Sequence, residues 1–178
     1  MEIPRWQTIS REERYFTSVL HHELINNVAP FSQLLCSRLG FDAGVKISDV
    51  GFEVCFFRDG AREGIIERPS EKRKELEKLT FDFMFVLSDG SAVIIEAKAQ
   101  QGYDNDQIAV LNYARDRIER SEKCPISRTY LVGLCSSVYA LKEETRRKFA
   151  GIIWWKKLAA IYPASKDVFQ RANDIYGK

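Results

Sequence analysis

The segment from residue 80 to residue 98 constrains the fold of this 178-residue chain more than any other part of it. It contains two apolar runs rich in Val, Ile and Phe, and the sequence Ser88-Asp89-Gly90-Ser91 separates them. Apolar runs of this length that are joined by turn residues are typical of a β-hairpin. Because the second run is apolar on both sides of its charged positions, we expect its strand to be covered on both faces, as in α/β proteins.

Three ionisable side chains interrupt the apolar pattern of this hairpin, namely Asp82, Glu96 and Lys98. Side chains alternate across a strand, so Glu96 and Lys98 share one face and Ala97 lies on the other. Burial of carboxylates without a compensating partner is costly, and a divalent metal ion is such a partner. We therefore predict that Asp82 and Glu96 ligate Mg²⁺, with Mn²⁺ as a substitute and the Ala97 carbonyl as a further ligand. Lys98 would orient or deprotonate a metal-bound water, or neutralise charge on a phosphate.

The register of the hairpin decides whether Asp82 joins the other two groups. Directly paired residues of antiparallel strands point to the same face. A two-residue turn would pair Asp82 with Ala97, whereas a three-residue loop at 88–90 would place Asp82 opposite Glu96. The longer loop requires a residue in the left-handed region, which Gly90 supplies at low cost. The sequence therefore predicts an odd-numbered loop with Gly90 at positive φ, or a β-bulge that shifts the register by one.

These residues resemble the signature of the PD-(D/E)xK nuclease superfamily, with Asp82 as the first acid and Glu96-Ala97-Lys98 as the ExK element. Phe81 stands where the superfamily name has Pro. The resemblance implies an α/β protein with a restriction-endonuclease-like three-layer α/β/α core, a mixed central sheet, and extra N- and C-terminal helices. It also implies a metal-dependent nuclease that hydrolyses phosphodiester bonds in DNA.

The resemblance suggests two further site residues. Gln107 lies on the next helix, where some relatives carry a Gln, although its position after a capping Asp104 explains it equally well. Glu23 lies on the apolar stripe of the first helix and is similar to the extra acid that many family members bring to the metal. Glu53, on the first predicted strand, competes for that role. Gln107 is thus an expected catalytic residue and Glu23 an expected metal ligand.

The remaining sequence predicts further helices and strands around the hairpin. Ser10 and Glu13 form a capping-box pattern at the start of the first helix, and Gly40 marks the end of the second. The charged run at 69–78 indicates a solvated helix or loop. The predicted helices cover about 12–27, 30–39, 104–124 and 141–162, and the predicted strands outside the hairpin cover about 50–57, 62–67 and 128–135.

Composition sets broader limits. Residues 1–178, with 45% hydrophobic content, are expected to form a single domain. No apolar run is long enough to span a bilayer and the N-terminal sequence is not a secretory signal, so we expect a cytoplasmic protein without membrane contact. The four cysteines include no CxxC pair and are expected to be free thiols. No small-molecule cofactor is expected.

The net charge of +2 is unevenly distributed. From residue 142 to residue 178, nine Lys or Arg face four Asp or Glu, and the preceding residues carry an excess of acidic groups. A basic region beside an acidic metal centre suits a phosphodiester substrate. Trp154 and Trp155 are candidates for base stacking, although the apolar run that contains them is equally typical of a core. The expected backbone contacts are Arg146, Arg147, Lys148, Lys156 and Lys157.

Alternative functions stay open at this stage. The same fold can serve as a catalytically silent nucleic-acid-binding or scaffold module, and the substrate of an active enzyme can be RNA instead of DNA. A homodimer is also left open.

Overall fold

The computed structural model describes residues 12–178 and contains a five-stranded mixed β-sheet with helices on both faces. The strands lie in the sheet in the order of the chain. The first three are antiparallel to their neighbours, and the last three are parallel. The strands are β1 (Ile47–Val54), β2 (Phe81–Leu87), β3 (Ala92–Ala97), β4 (Thr129–Cys135) and β5 (Gly151–Trp154). The predicted α/β class and mixed sheet are confirmed.

Seven α-helices and two 3₁₀ segments connect or cover these strands within residues 12–178. The 3₁₀ segments are Glu71–Lys78 and Pro163–Ser165. The helices are α1 (Glu13–Asn26), α2 (Ala29–Leu39), α3 (Phe56–Arg62), α4 (Asn105–Glu119), α5 (Glu143–Arg146), α6 (Trp155–Ile161) and α7 (Lys166–Asp174). In the described part of the chain, no helix is both long and apolar enough to cross a membrane.

Two hydrophobic clusters, one on each face of the sheet, hold the helices in place. On one face, side chains of α1, α2, α6 and α7, among them Phe16, Phe31 and Trp155, pack with sheet residues such as Ile95. On the other face, α3, α4 and the first 3₁₀ segment pack with sheet residues such as Ile94. Because consecutive residues of β3 belong to opposite clusters, this strand is covered on both faces, as its apolar pattern predicts.

The hairpin of β2 and β3 has the predicted register. The Leu87 N–H donates to the Ser91 carbonyl at 2.8 Å, which closes a three-residue loop. Gly90 has φ 81° and supplies the left-handed conformation that this loop requires. The ladder pairs Phe83 with Ile95, so its continuation by one residue sets Asp82 opposite Glu96.

Two predicted elements are wrong. The strand predicted to run to residue 57 ends at Val54, and α3 follows where a turn and a return strand at 62–67 were expected. Phe57 and Ala61 are four residues apart, so they lie on the same face of α3. Both pack into the hydrophobic cluster that contains Ile94. The helix predicted over 141–162 is interrupted by β5, because Gly151 disfavours a helix interior and the β-branched pair that follows it extends the parallel sheet.

Other boundaries agree with the sequence. Gly40 ends α2 at φ 70°, and Asp104 caps α4. The four cysteines are free thiols. Ser10 lies outside the described residues, so its part in a capping box stays a prediction.

Candidate functional site

The site begins at the point where β2 diverges from β3. The backbone pairing between these strands ends at Phe83 and Ile95. Beyond that pair, the Asp82 side chain and not its backbone bonds to β3. The Ala97 N–H donates to Asp82 Oδ2 at 2.7 Å. The carboxylate is thereby fixed at the sheet, close to the strand that carries Glu96 and Lys98.

Lys98 links two carboxylates from different elements. Its ammonium donates to Glu96 Oε1 at 2.6 Å and to Glu13 Oε1 at 3.3 Å. The Lys98 side chain is 13% exposed and the Glu96 side chain only 4%, so water screens their ion pair weakly. This arrangement joins the end of β3 to the start of α1.

Glu13 is the acid that α1 brings to the site, and the sequence analysis missed this role. Its second carboxylate oxygen, Oε2, accepts from the Ala99 N–H at 3.0 Å, so both oxygens are held at the end of β3. The capping-box pattern gave Glu13 a local explanation that concealed this contact. The usable signal was its spacing: Glu13 precedes the buried residues Phe16, Thr17 and Leu20 of α1 by three, four and seven positions.

Gln107 reaches the site from α4. Its side-chain amide donates to Glu96 Oε1 at 2.6 Å. The Asp104 side chain accepts from the backbone N–H of Gln107 at 3.0 Å and thus fixes the first turn of the helix. Gln107 thus follows the cap and also contacts Glu96, and its catalytic role stays a prediction.

Two aromatic residues hold the backbone of the ExK element. The Tyr103 hydroxyl donates to the Glu96 carbonyl at 3.2 Å, and the Trp155 indole N–H donates to the Lys98 carbonyl at 2.9 Å. The added Cβ of an alanine at Gly133 would lie 2.6 Å from Tyr103 Oη, so the absence of a side chain on β4 leaves room for this hydroxyl. Neither aromatic role was expected from the sequence.

Burial dominates the electrostatics of the carboxylates. It raises the pKa of Glu96 to about 7, helped by the negative charge of Asp82 and opposed by Lys98. Burial also raises the pKa values of Asp82 and Glu13 above their usual range. Two carboxylates thus share the Lys98 ammonium, Asp82 lies near enough to feel its charge, and the site holds more acidic than basic groups.

The Lys98 ammonium retains its proton in this arrangement. Burial lowers its pKa, but the charges of Glu96 and Glu13 outweigh burial and raise the pKa above the ordinary value. Of the roles predicted for Lys98, orientation and charge neutralisation are compatible with an ammonium. Deprotonation of a water requires the neutral amine, which this setting disfavours.

Of the two acids proposed to complete the metal site, Glu23 lies elsewhere and Glu53 lies beside the cluster. Glu23 accepts a hydrogen bond from the Ser165 hydroxyl, and its position on α1, ten residues after Glu13, corresponds to about 15 Å along the helix. Glu23 is therefore not part of the cluster. Glu53 has φ 50° and forms an ion pair with Arg14, and it lines a cavity of ≈ 350 Å³ together with Glu13 and Asp82.

A hard divalent cation fits the oxygen donors of this site chemically, but the structure does not display a complete ligand set. Within residues 12–178, no group of three or more His, Cys, Asp or Glu side chains is arranged to hold a metal ion. Glu96 Oε1 is engaged by both Lys98 and Gln107. Asp82, Glu96 and Glu13 are the residues that would hold a cation. The Lys98 ammonium would then have to release the Glu96 oxygen that it contacts. The ligand role of the Ala97 carbonyl stays a prediction.

Of the C-terminal basic residues expected to contact DNA, Lys148 is partly buried and Arg146, Arg147, Lys156 and Lys157 are exposed, and their contact with DNA stays a prediction. Trp155 is fully buried in the core, and Lys148 donates to Asn105 at the start of α4. Arg147 forms an ion pair with Glu143. The expectation of base stacking by Trp155 is therefore wrong, and the core alternative is correct for this residue.

Comparison with protein-family models, with curated proteins and with solved structures yields no match. The site is therefore interpreted from its own geometry.

Proposed function

We propose that this chain is a metal-dependent nuclease with a restriction-endonuclease-like fold, and that it hydrolyses phosphodiester bonds in DNA. One observation carries the proposal: the buried carboxylates of Asp82, Glu96 and Glu13 lie near one ammonium, that of Lys98, which contacts Glu96 and Glu13 directly. Burial of several carboxylates beside one compensating charge lowers stability, and such a cluster is typical of a functional site.

The residues of the chain would perform separate tasks. Asp82 and Glu96 supply carboxylate oxygens for a cation, and Glu13 adds a third acid from α1. Lys98, as an ammonium, would orient the attacking water or stabilise negative charge on the phosphate. Gln107 contacts Glu96 and would keep its carboxylate in place when Lys98 turns towards the substrate.

A bound divalent ion would supply Lewis-acid polarisation of the phosphate and a water that is easier to deprotonate. Burial is the main reason why the pKa of Glu96 rises to about 7. Without a cation, this carboxyl is therefore protonated in a large fraction of molecules at neutral pH. We expect cation binding to release that proton, since metal ligands must be deprotonated.

Cleavage of duplex DNA in the presence of Mg²⁺ or Mn²⁺, with EDTA as the negative control, tests the proposal directly. Asp82→Asn, Glu96→Gln and Lys98→Met should each abolish cleavage, and a double variant should be no worse than a single one because the three groups act as a unit. Glu23→Gln is the matched control, since it removes a carboxylate from the same helix as Glu13 but outside the cluster. Wild-type cleavage by Lys98→Met would refute the assigned mechanism.

A catalytically silent nucleic-acid-binding module is the second candidate. It is favoured by the ion pair of Lys98 with Glu96, which partly neutralises the cluster without any metal. Thermal unfolding with and without Mg²⁺ separates the two candidates. A nuclease should be stabilised by Mg²⁺ in the wild type and not in Asp82→Asn, whereas the silent module should show the same melting temperature with and without the ion.

A further inference from the structure

Three neighbouring clefts lead away from the carboxylate cluster. The cavity beside Asp82 and Glu13 shares Thr80 with a second cleft of ≈ 430 Å³. That cleft shares Arg68 with a third one of ≈ 350 Å³, which lies between the 3₁₀ segment Glu71–Lys78 and α4. Each cleft shares one lining residue with the next, and the first is lined by Glu13 and Asp82 of the candidate active site.

Seven basic side chains contribute to the walls of the second and third clefts, together with Glu77, Asp116 and uncharged residues. The basic residues come from α3, from the charged segment at 68–78 and from α4, three stretches that lie apart in the sequence. We call this set the arginine track. It consists of Arg58, Arg62, Arg68, Arg73, Lys78, Arg117 and Arg120.

The ion pairs of the track are partly or largely exposed to water, and they include those of Arg58 with Asp59 and of Arg73 with Glu75. Arg68 lies 3.4 Å from Glu77, and Arg117 lies 3.6 Å from Glu67. Such pairs contribute little to stability, so a phosphate can replace the carboxylate at small cost. Among residues 12–178, no carboxylate lies within ion-pair distance of Arg62 or Arg120.

An aromatic side chain lies within the track as well. Tyr113 is 38% exposed, and the Arg73 guanidinium lies over its ring at 4.3 Å from the centroid. Tyr113 and Arg73 both line the third cleft. Arginine and an exposed aromatic ring are the side chains that nucleic-acid-binding grooves combine to hold phosphates and bases.

We propose that the arginine track holds the phosphodiester backbone of a nucleic acid and guides it to the carboxylate cluster. The inference deepens the proposed nuclease function and rests on it for the identity of the substrate. It replaces the C-terminal basic residues as the principal contact surface, because a cleft of the track shares Thr80 with the cavity that Asp82 lines. The charged segment before the hairpin is then part of the substrate groove.

Binding measured without cleavage tests this inference independently of catalysis. Fluorescence anisotropy in EDTA, over a series of salt concentrations, is recorded for labelled duplex DNA, single-stranded DNA and RNA of one sequence. The track variant carries R62Q, R68Q and R120Q. The matched control carries R146Q, K156Q and K157Q, which remove the same charge from exposed positions of the C-terminal region. Circular dichroism and melting temperature establish that both variants are folded.

The track variant should bind its preferred nucleic acid on the order of tenfold more weakly or worse, because phosphate contacts dominate affinity. Its salt dependence, the slope of log K against log salt concentration, should fall by about one per lost cation. The control should retain the wild-type affinity and slope. The nucleic acid that shows the largest difference between the two variants identifies the preferred substrate.

Equal binding by the wild type and the track variant for all three nucleic acids would overturn the inference, as would an equal loss in both variants. Absence of binding by the wild type would overturn it too. Failure of the nuclease proposal gives a different result: the track variant loses affinity, while the wild type cleaves nothing with Mg²⁺ or Mn²⁺.

Discussion

The buried carboxyl of Glu96 makes a quantitative prediction about stability and pH. Its pKa rises from 4.5 to about 7 on folding, chiefly because burial disfavours the charged form. Between these two values the folded protein keeps a proton that the unfolded chain has lost. Stability therefore decreases as pH rises through this interval, by about 1.4 kcal/mol per pH unit. The full interval corresponds to about 3 kcal/mol.

Replacement of Glu96 by Gln removes this titration while it keeps the size and the hydrogen-bonding ability of the side chain. The free energy of unfolding is measured by urea denaturation in EDTA at pH 5 and at pH 8. From pH 5 to pH 8 it should decrease more in the wild type than in Glu96→Gln. The decrease between these two pH values should be larger in the wild type by about 2.5 kcal/mol, because the measurement begins at pH 5, above the unfolded pKa. Absolute stabilities do not enter the comparison, because the substitution also changes the contact of this side chain with Lys98.

A matched control separates this effect from the simple loss of one acidic group. Glu71 is 88% exposed, and Glu71→Gln should give a profile parallel to that of the wild type. If Glu96→Gln also runs parallel to the wild type, the carboxyl does not titrate in the folded state as the structure implies, and the electrostatic argument for the cluster is refuted.

Further variants test the parts of the site separately. Glu13→Gln should lower cleavage by roughly 10- to 100-fold, as expected when a residue that holds the metal environment is lost, whereas Glu23→Gln should leave the rate unchanged; single-turnover assays compare them. Gly90→Ala should lower the free energy of unfolding by about 1–2 kcal/mol, because alanine is disfavoured at φ 81°. Gly133→Ala should destabilise by about 1–3 kcal/mol, since its Cβ would clash with Tyr103 Oη at 2.6 Å, and thermal unfolding would detect both changes.

The hairpin was predictable because its constraints are local. The apolar runs, the turn residues and the need for a left-handed residue at Gly90 all act within a few positions of each other. Asp104 was recognisable as a cap for the same reason, since its side chain accepts from the next turn of its own helix. Register and cap together place Asp82 and Gln107 near Glu96.

The errors concern features that depend on distant partners. The segment that forms β5 has no strand signal beyond Ile152 and Ile153, and it becomes a strand because the edge of β4 is available to it. Glu13 contacts Lys98 across 85 positions of sequence, and its local capping pattern offered an adequate alternative. A local pattern that explains a residue completely does not exclude a second contact in the folded chain.

The strand order of the sheet has a consequence for how the site is assembled during folding. Each strand pairs with the strand that precedes or follows it in the sequence, so no pairing skips over another strand. We expect Asp82 and Glu96 to come together when the hairpin closes, and Trp155 to contact Lys98 later, because α6 directly follows β5 in the chain. We expect amide hydrogens of the hairpin to gain protection before those of α6 in pulse-labelled exchange, so that the acidic cluster forms first and the indole secures it afterwards.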